Sequence, residues 1–385
     1  MKKKMLFTLL LGAALIPMLP AVETEDDNHE CTSWVVMSDL TGGKTVLIHK
    51  NRDSKTPWKT NLFLVNAEGG KHAWIGISNG PQKYPSSNGG VNDCGVAIVM
   101  NNGDKNDAKS VTAKQGGLST PGMAKEALEN SATAEEAVKF LHELVKAKKY
   151  SHGEYGSIWV VADPNCAFII ENSAAHFAAH GFKSGFGVRA NGWHFPEMTL
   201  YSKYQPKTLV NYVRREFSVR QSLFADGTKY NEPVTVEKMN LASRVNTIPD
   251  DPKCPPVCGR MTRSGCTIAI DREYPGVLTT LYAAFGHPRY TVYLPIPFVL
   301  DGIPVELTDD SFSQAILDRS EAKRELLPQD KLAEFERGLN RRQAEAVEKA
   351  RAVLKKGGSK AEAAKILNEA FWQNWEAVKK LSAGK

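Results

Sequence analysis

Cys31 stands directly before the strand-like run Thr32-Ser33-Trp34-Val35-Val36-Met37 and directly after an acidic stretch, residues 22–30. Removal of that stretch gives Cys31 a free α-amine beside its own thiol, with an ordinary pKa of about 7.7–8.0. The amine can then take the thiol proton, and the thiolate can attack a carbonyl carbon without a histidine. Left internal, the same cysteine is an oxidisable thiol at the start of a strand. The first reading therefore depends on what precedes it.

Residues 1–21 have the make-up of an export signal: Lys2-Lys3-Lys4, an apolar run from Met5 to Leu19, and Pro20-Ala21 before the acidic stretch. A membrane anchor fits less well, because a spanning helix needs about 20 apolar residues and this run contains Pro17. The expected organisation is a signal at 1–21, a pro-segment at 22–30, a main domain at 31–308 and a C-terminal helical extension at 309–385. The mature protein is expected to be periplasmic or secreted, with no stable membrane insertion. Either Cys31 itself or another protease could cut the Glu30-Cys31 bond.

The chain has 385 residues, 42% hydrophobic and 24% charged, enough for a large buried core. Its formal net charge of +6 falls to +3 without Lys2–Lys4 and rises to +8 when the five acidic residues of the pro-segment also leave. The Lys and Arg residues are scattered and form no nucleic-acid motif, so no nucleic-acid partner is expected. The sequence leaves a homo-oligomer open.

The other cysteines divide by context. Cys254-Pro-Pro-Val-Cys258, with Cys266 beyond it, could hold one bridge in a proline-rich loop, and it has no further ligands at zinc-site spacing. Cys94 and Cys166 lie in apolar runs and are expected to be inert core residues. Gly43-Lys44-Thr45 lacks the earlier glycine of a phosphate loop, since Ser38 stands there, and a strand follows it. His142-Glu143 lacks the second histidine of a zinc-protease helix. There is neither a Gly-x-Ser-x-Gly elbow nor a dinucleotide fingerprint.

The elements that must position Cys31 read as strands, then a helix pair, then strands. A hairpin opens the mature chain, returning through Thr45–His49 after the turn Thr41-Gly-Gly-Lys44. Short strands are expected at 73–77, 96–100, 157–162, 166–171, 175–180, 187–190, 267–270 and 290–294. Helices are expected at 121–130 and after the capping box Thr133-Ala-Glu-Glu136, then at 331–355 and 361–381. This order suggests a layered α/β sandwich. The tryptophans Trp34, Trp58, Trp74 and Trp193 either line a pocket or belong to the core.

Cys31-Thr32-Ser33, followed by Lys50-Asn51-Arg52-Asp53, resembles the opening of the N-terminal-nucleophile linear amide hydrolases. That superfamily includes choloylglycine hydrolases, penicillin V acylases and isopenicillin N acyltransferase-like enzymes. Gly90-Val-Asn-Asp-Cys-Gly95, running on to Asn101-Asn102, and Val188-Arg-Ala-Asn191-Gly-Trp193 are similar to two further signatures in the expected order. The resemblance spans residues 31 to about 220.

It implies an αββα sandwich, an exported enzyme cleaving linear C–N amides, a small-molecule amide substrate, and no metal or organic cofactor. Acyltransferase or dipeptidase chemistry on the same site, or an inactive binding protein, are the alternatives. Cys31 would be the nucleophile and Asp53 the carboxylate that orients its α-amine. Asn102, by backbone N–H, and Asn191, by side-chain amide, would form the oxyanion hole, with Asn101 competing for the first role. Lys50 stands where the family often has arginine, and either Lys50 or Arg52 could supply the positive charge beside the thiol, with the site rebuilt around Arg52 if Lys cannot replace the guanidinium fork. A later family arginine matches Arg215, with Arg214 and Arg220 as rivals.

Overall fold

In the computed structural model, the described residues are 31–78, 85–105, 117–149, 155–203, 206–224, 232–246 and 256–383, so the expected signal, the pro-segment and Cys254 lie outside them. The first part of the chain forms β1 (Thr32–Val36), β2 (Thr45–Asp53), β3 (Asn61–Val65), β4 (Trp74–Ser78), β5 (Gly89–Asn92) and β6 (Ala97–Lys105), then α1 (Thr120–Asn130) and α2 (Ala134–Lys146). Next come β7 (Tyr155–Ala162), β8 (Ala167–Asn172), β9 (Phe177–Phe182), β10 (Phe186–Arg189), α3 (Pro196–Thr199), α4 (Pro206–Leu223) and α5 (Val236–Ala242). The chain continues through β11 (Thr262–Asp271), α6 (Pro275–Leu278), β12 (Thr280–Ala284), β13 (Leu294–Pro297), α7 (Ser311–Glu321), α8 (Gln329–Lys355) and α9 (Lys360–Ser382).

The strands form two antiparallel sheets, ordered β10-β1-β2-β11-β12-β13 and β3-β4-β5-β6-β7-β8-β9. Alternation along each strand sends successive side chains to opposite faces. Val35, Val46, Ile48, Ile268 and Ile270 of the first sheet meet Ile75, Val91, Val99, Ile158 and Val160 of the second in one buried core. The opposite face of the second sheet, with Trp74, Ile98, Trp159 and Ile170, is covered by Met123, Leu128, Leu141 and Val145 of α1 and α2. The outer face of the first sheet, with Trp34, Val36 and Leu47, is covered by Val219 and Leu223 of α4 and Met239 of α5. The layering is helix, sheet, sheet, helix. Trp34, Trp74 and Trp193 are core residues, while Trp58 is exposed.

Local signals account for several boundaries. At α2 the Thr133 hydroxyl accepts from Glu136 N–H, but the Glu136 carboxylate reaches back to Ala132 N–H, one residue earlier than a strict capping box. At α9 the full reciprocal box forms between Ser359 and Glu362. Strand β5 forms despite its Gly-Gly start, because its surroundings leave Gly90 no room for a side chain: a Cβ there would stand 2.9 Å from Ile75 O on β4.

The last helices reach the central core. Leu332 and Leu339 of α8 and Phe371, Trp375 and Val378 of α9 belong to the same buried cluster as the inter-sheet residues. A buried ion pair ties α8 down, with Arg244 donating to both Glu336 oxygens at 2.7 and 2.6 Å. Among the described residues, no helix is long and apolar enough to cross a membrane.

Candidate active site

Cys31 immediately precedes β1 and is 6% exposed. Residues two apart on a strand share a face, so Cys31, Ser33 and Val35 point between the sheets. On the neighbouring strand Lys50 pairs with Ser33, so it lies on that same face. Lys50 hydrogen-bonds the Cys31 side chain and donates to Asn101 Oδ1 at 2.9 Å. The Ser33 hydroxyl donates to the same oxygen at 2.6 Å. Lys50 thus bridges the thiol and the second sheet.

Burial pushes Lys50 below its ordinary value, the neighbouring Cys31 pulls it up, Arg52 pushes it down and Asp53 pulls it up. Burial lowers Arg52 to about 10 against the upward pull of Cys31 and Asp53, which leaves the guanidinium charged at neutral pH. Lys50, Arg52 and Asp53 all come from the end of β2, so one strand supplies both cations and the carboxylate.

The two asparagines of β6 go to opposite faces. Asn101, on the parity of Ala97 and Val99, enters the space between the sheets, and its Nδ2 donates to Arg189 O at 3.0 Å and Ala190 O at 2.9 Å. Asn102 enters through its backbone, its carbonyl accepting from Asn191 Nδ2 at 2.9 Å. Arg215, 1% exposed on α4, fixes the other end of that amide: it donates to Asn191 Oδ1 at 3.0 Å and to Cys31 O at 3.3 Å. Cys31, Lys50, Asn101, Asn102, Asn191 and Arg215 therefore form one connected set. Asp53 is 4% exposed and acts on Lys50 and Arg52 by charge.

Beneath Asn191 lies a buried acidic support that the sequence did not mark. Glu216 accepts from Ala190 N–H at 2.8 Å, and Glu171 accepts from Arg189 Nε at 2.8 Å and from the N–H groups of His194 and Phe195 at 2.8 and 2.9 Å. Burial pushes Glu216 up to about 7 against Arg189, the Ala190 N–H and Arg215, and pushes His194 down to about 4. An acid raised in the folded state binds its proton more tightly there, so its contribution is full below its unfolded value and fades as pH rises through about 7. The depressed His194 works in the opposite direction below its ordinary value. Subtracting a Glu216→Gln variant isolates the first effect. The wild-type advantage in urea-melt stability should shrink by on the order of 2–3 kcal/mol between about pH 4.5 and 7. A difference independent of pH over that window would contradict a buried, proton-holding Glu216.

Cys94 departs from its expected core position: it is half-buried in the turn between β5 and β6. Cys166, Cys258 and Cys266 are buried, and Cys166, Cys258 and Cys94 are pushed up chiefly by burial.

Two antiparallel sheets lie face to face between helical layers, with a cysteine at the head of the first strand: the architecture is an αββα sandwich. Residues 40–177 match the family model described as acyl-coenzyme A:6-aminopenicillanic acid acyl-transferase. The resemblance read from the sequence is borne out over that stretch, which runs from the first turn to the start of β9. No curated protein sequence matches the chain.

Solved structures similar to it include a penicillin V acylase from Agrobacterium tumefaciens, at 19% identity, covering 66% of this chain and 83% of that one, with a TM-score of 0.39. A mutant of the conjugated bile acid hydrolase from Clostridium perfringens is similar at 13% identity, covering 69% and 92%, with a TM-score of 0.44. Another variant of that enzyme is similar at 11% identity, covering 71% and 91%, with a TM-score of 0.40.

Proposed function

We propose that the protein is an exported amide hydrolase that works through an acyl-enzyme on Cys31 with the α-amine of the same residue as base. The observation that carries this reading is the connected set around Cys31: Lys50 on its thiol, Arg215 on its carbonyl, and Asn191 held between Arg215 and Asn102. In the first step Cys31 Sγ attacks the amide carbon and its proton passes to the α-amine. The tetrahedral intermediate collapses to a thioester as that proton moves to the leaving nitrogen. Water then adds to the thioester, giving its proton to the α-amine and restoring the thiol.

Negative charge develops on the substrate carbonyl oxygen in both steps. An amide carries two N–H bonds, and Asn191 commits one of them to Asn102 O. With Arg215 on its Oδ1, the group cannot flip, so its second N–H has a fixed direction toward the developing charge. Lys50 and Arg52 supply positive charge at the sulfur, and Asp53 balances them. The Lys50 ammonium fills the place that the family resemblance gives to a guanidinium.

The family model that matches residues 40–177 is described as an acyl-transferase, which supports a second reading in which an amine intercepts the thioester. Adding amine acceptors to a hydrolysis assay separates the two, since transfer yields a new amide at the expense of free acid.

The test of the leading reading is the intact mass and N-terminal sequence of the protein recovered from the medium or periplasm of an expressing cell. A chain beginning at Cys31 is expected, and a Cys31→Ala form that keeps residues 22–30 would assign the cut to Cys31 itself. A stable wild-type chain beginning near Val22 would leave Cys31 an internal thiol and sink the mechanism.

A further inference from the structure

We infer that His72, Asp93 and Cys94 form a binding site for a zinc-class divalent cation, separate from the Cys31 site. Cys94 lies in the turn that starts β6, whereas Asn101 lies midway along that strand, and the two groups share no side chain. His72 Nδ1 is 2.7 Å from Asp93 Oδ1 and 3.5 Å from Cys94 Sγ, and the three donor atoms all lie within 4.8 Å of one another. A tetrahedral Zn2+ with ligands at about 2.0 Å for nitrogen and about 2.3 Å for sulfur sets those two atoms about 3.5 Å apart. The His–Cys separation already has that value, and the His–Asp contact need only open by roughly half an ångström.

The turn that presents these donors is held in place before any ion arrives. Asn92 Oδ1 accepts from the N–H groups of Cys94 and Val96 at 3.1 and 2.9 Å, and Asn92 Nδ2 donates to Leu128 O and Ser131 O at 2.8 and 2.7 Å. Gly95 takes the left-handed conformation, φ +83°, that closes the turn. His72 is anchored through its own N–H to Glu129 O at 2.8 Å, and Ala73 N–H donates to Asp93 Oδ2 at 3.3 Å. All three side chains are partly exposed, which leaves an entry path and room for a water as fourth ligand.

A mixed nitrogen, sulfur and carboxylate set suits Zn2+ better than Ca2+ or Mg2+, which take oxygen ligands. Binding moves the Cys94 thiol proton to solvent and shifts the imidazole hydrogen to Nε2, leaving the Nδ1 lone pair for the metal. Burial and the negative charge of Asp93 hold the thiol proton on in the free protein, and a divalent cation reverses that field. A second cluster, Glu135, Asp163 and Cys166, also brings donors together. There the Asp163 carboxylate is already taken by the N–H groups of Ala134, Asn165 and Cys166, at 2.8, 2.7 and 3.0 Å. It serves as the control.

The experiment titrates chelator-treated, full-length protein with ZnCl2 by calorimetry and with CoCl2 by absorbance. One equivalent should bind, with a thiolate-to-cobalt charge-transfer band. Cys94→Ser should lose the band, and Cys94→Ser, Asp93→Asn and His72→Gln should each weaken Zn2+ at least roughly tenfold. Cys166→Ser should behave as wild type. Folding of each variant is checked by its metal-free melting curve, and a rise in Tm on adding Zn2+ should occur in wild type and Cys166→Ser alone. Absence of stoichiometric binding to the wild type, or a cobalt band that survives in Cys94→Ser, overturns the assignment.

Discussion

Cys31→Ala should abolish amide turnover, lowering kcat by at least roughly 10⁴-fold on any substrate the wild type cleaves, because it removes the sulfur on which the proposed thioester forms. The fold should persist, since the side chain lost is small and the neighbouring contacts of Arg215 run to the Cys31 backbone carbonyl rather than to its sulfur. Matching melting curves with lost turnover would therefore locate the effect in chemistry. The measurement is initial rate across a panel of acyl amides, including penicillins, conjugated bile salts, acylated amino acids and short peptides, with wild type and variant at equal concentration. Turnover indifferent to the substitution would sink the acyl-enzyme on Cys31. Absence of wild-type turnover across the whole panel would instead favour the alternative in which the fold binds amides without cleaving them.

Arg244→Ala should cost about 3–5 kcal/mol of stability, the largest effect expected from a single change outside the site. Arg244 gives its guanidinium to both Glu336 oxygens and to Pro288 O and Thr291 O at 2.8 and 3.2 Å, and both side chains are buried. Deleting the cation leaves the Glu336 carboxylate buried without its counter-charge. Replacing both partners, as Arg244→Met with Glu336→Leu, should recover most of the loss, because two desolvated charges are exchanged for apolar volume. Recovery should stay incomplete, since Tyr293 N–H now donates to Glu336 at 2.6 Å and would lose its acceptor, at about 1–3 kcal/mol. Urea melts of the two variants give both numbers. A single variant within about 1 kcal/mol of wild type would show that water reaches the carboxylate.

The elements legible in the sequence were those whose alternation is built from β-branched and aromatic residues. The opening hairpin and β6 to β9 stand within a few residues of their expected places. Strand β5 was not legible, because its glycines carry little strand preference and the need for Gly90 shows only in its close approach to Ile75 O on β4. The expected strand at 290–294 is instead β13, at Leu294–Pro297.

Helix α4 was hidden for a different reason. Val210, Val213 and Phe217 put apolar groups on its exposed face, which blurs the stripe made by Tyr212, Val219 and Leu223 on the buried one. Once the helix is drawn, Tyr212, Arg215, Glu216 and Val219 fall at helical spacing on that buried stripe. That spacing separates Arg215 from Arg214 and Arg220, and it would have marked Glu216 as a buried acid.

At the site, residue types were easier to read than directions. Cys31, Asp53 and Asn191 follow from spacing and resemblance. Which of Asn101 and Asn102 offers a side chain depends on a one-residue register, and it is Asn101 that meets Lys50 and Ser33. The part played by Lys50 was legible only as charge, because its bridge between sulfur and the second sheet needs both sheets in place.

Phe371 and Trp375 share a core with Val35 and Ile48, so residues more than 300 positions apart must meet before the space between the sheets is sealed. A chain emerging from the ribosome or crossing a translocation channel would carry its hairpins and helices early. It could not shut its interior until almost the last turn of helix arrived. Enclosure of the Cys31 side chain is then an event of the finished chain, and the arrival of α9 acts as the clock that starts it.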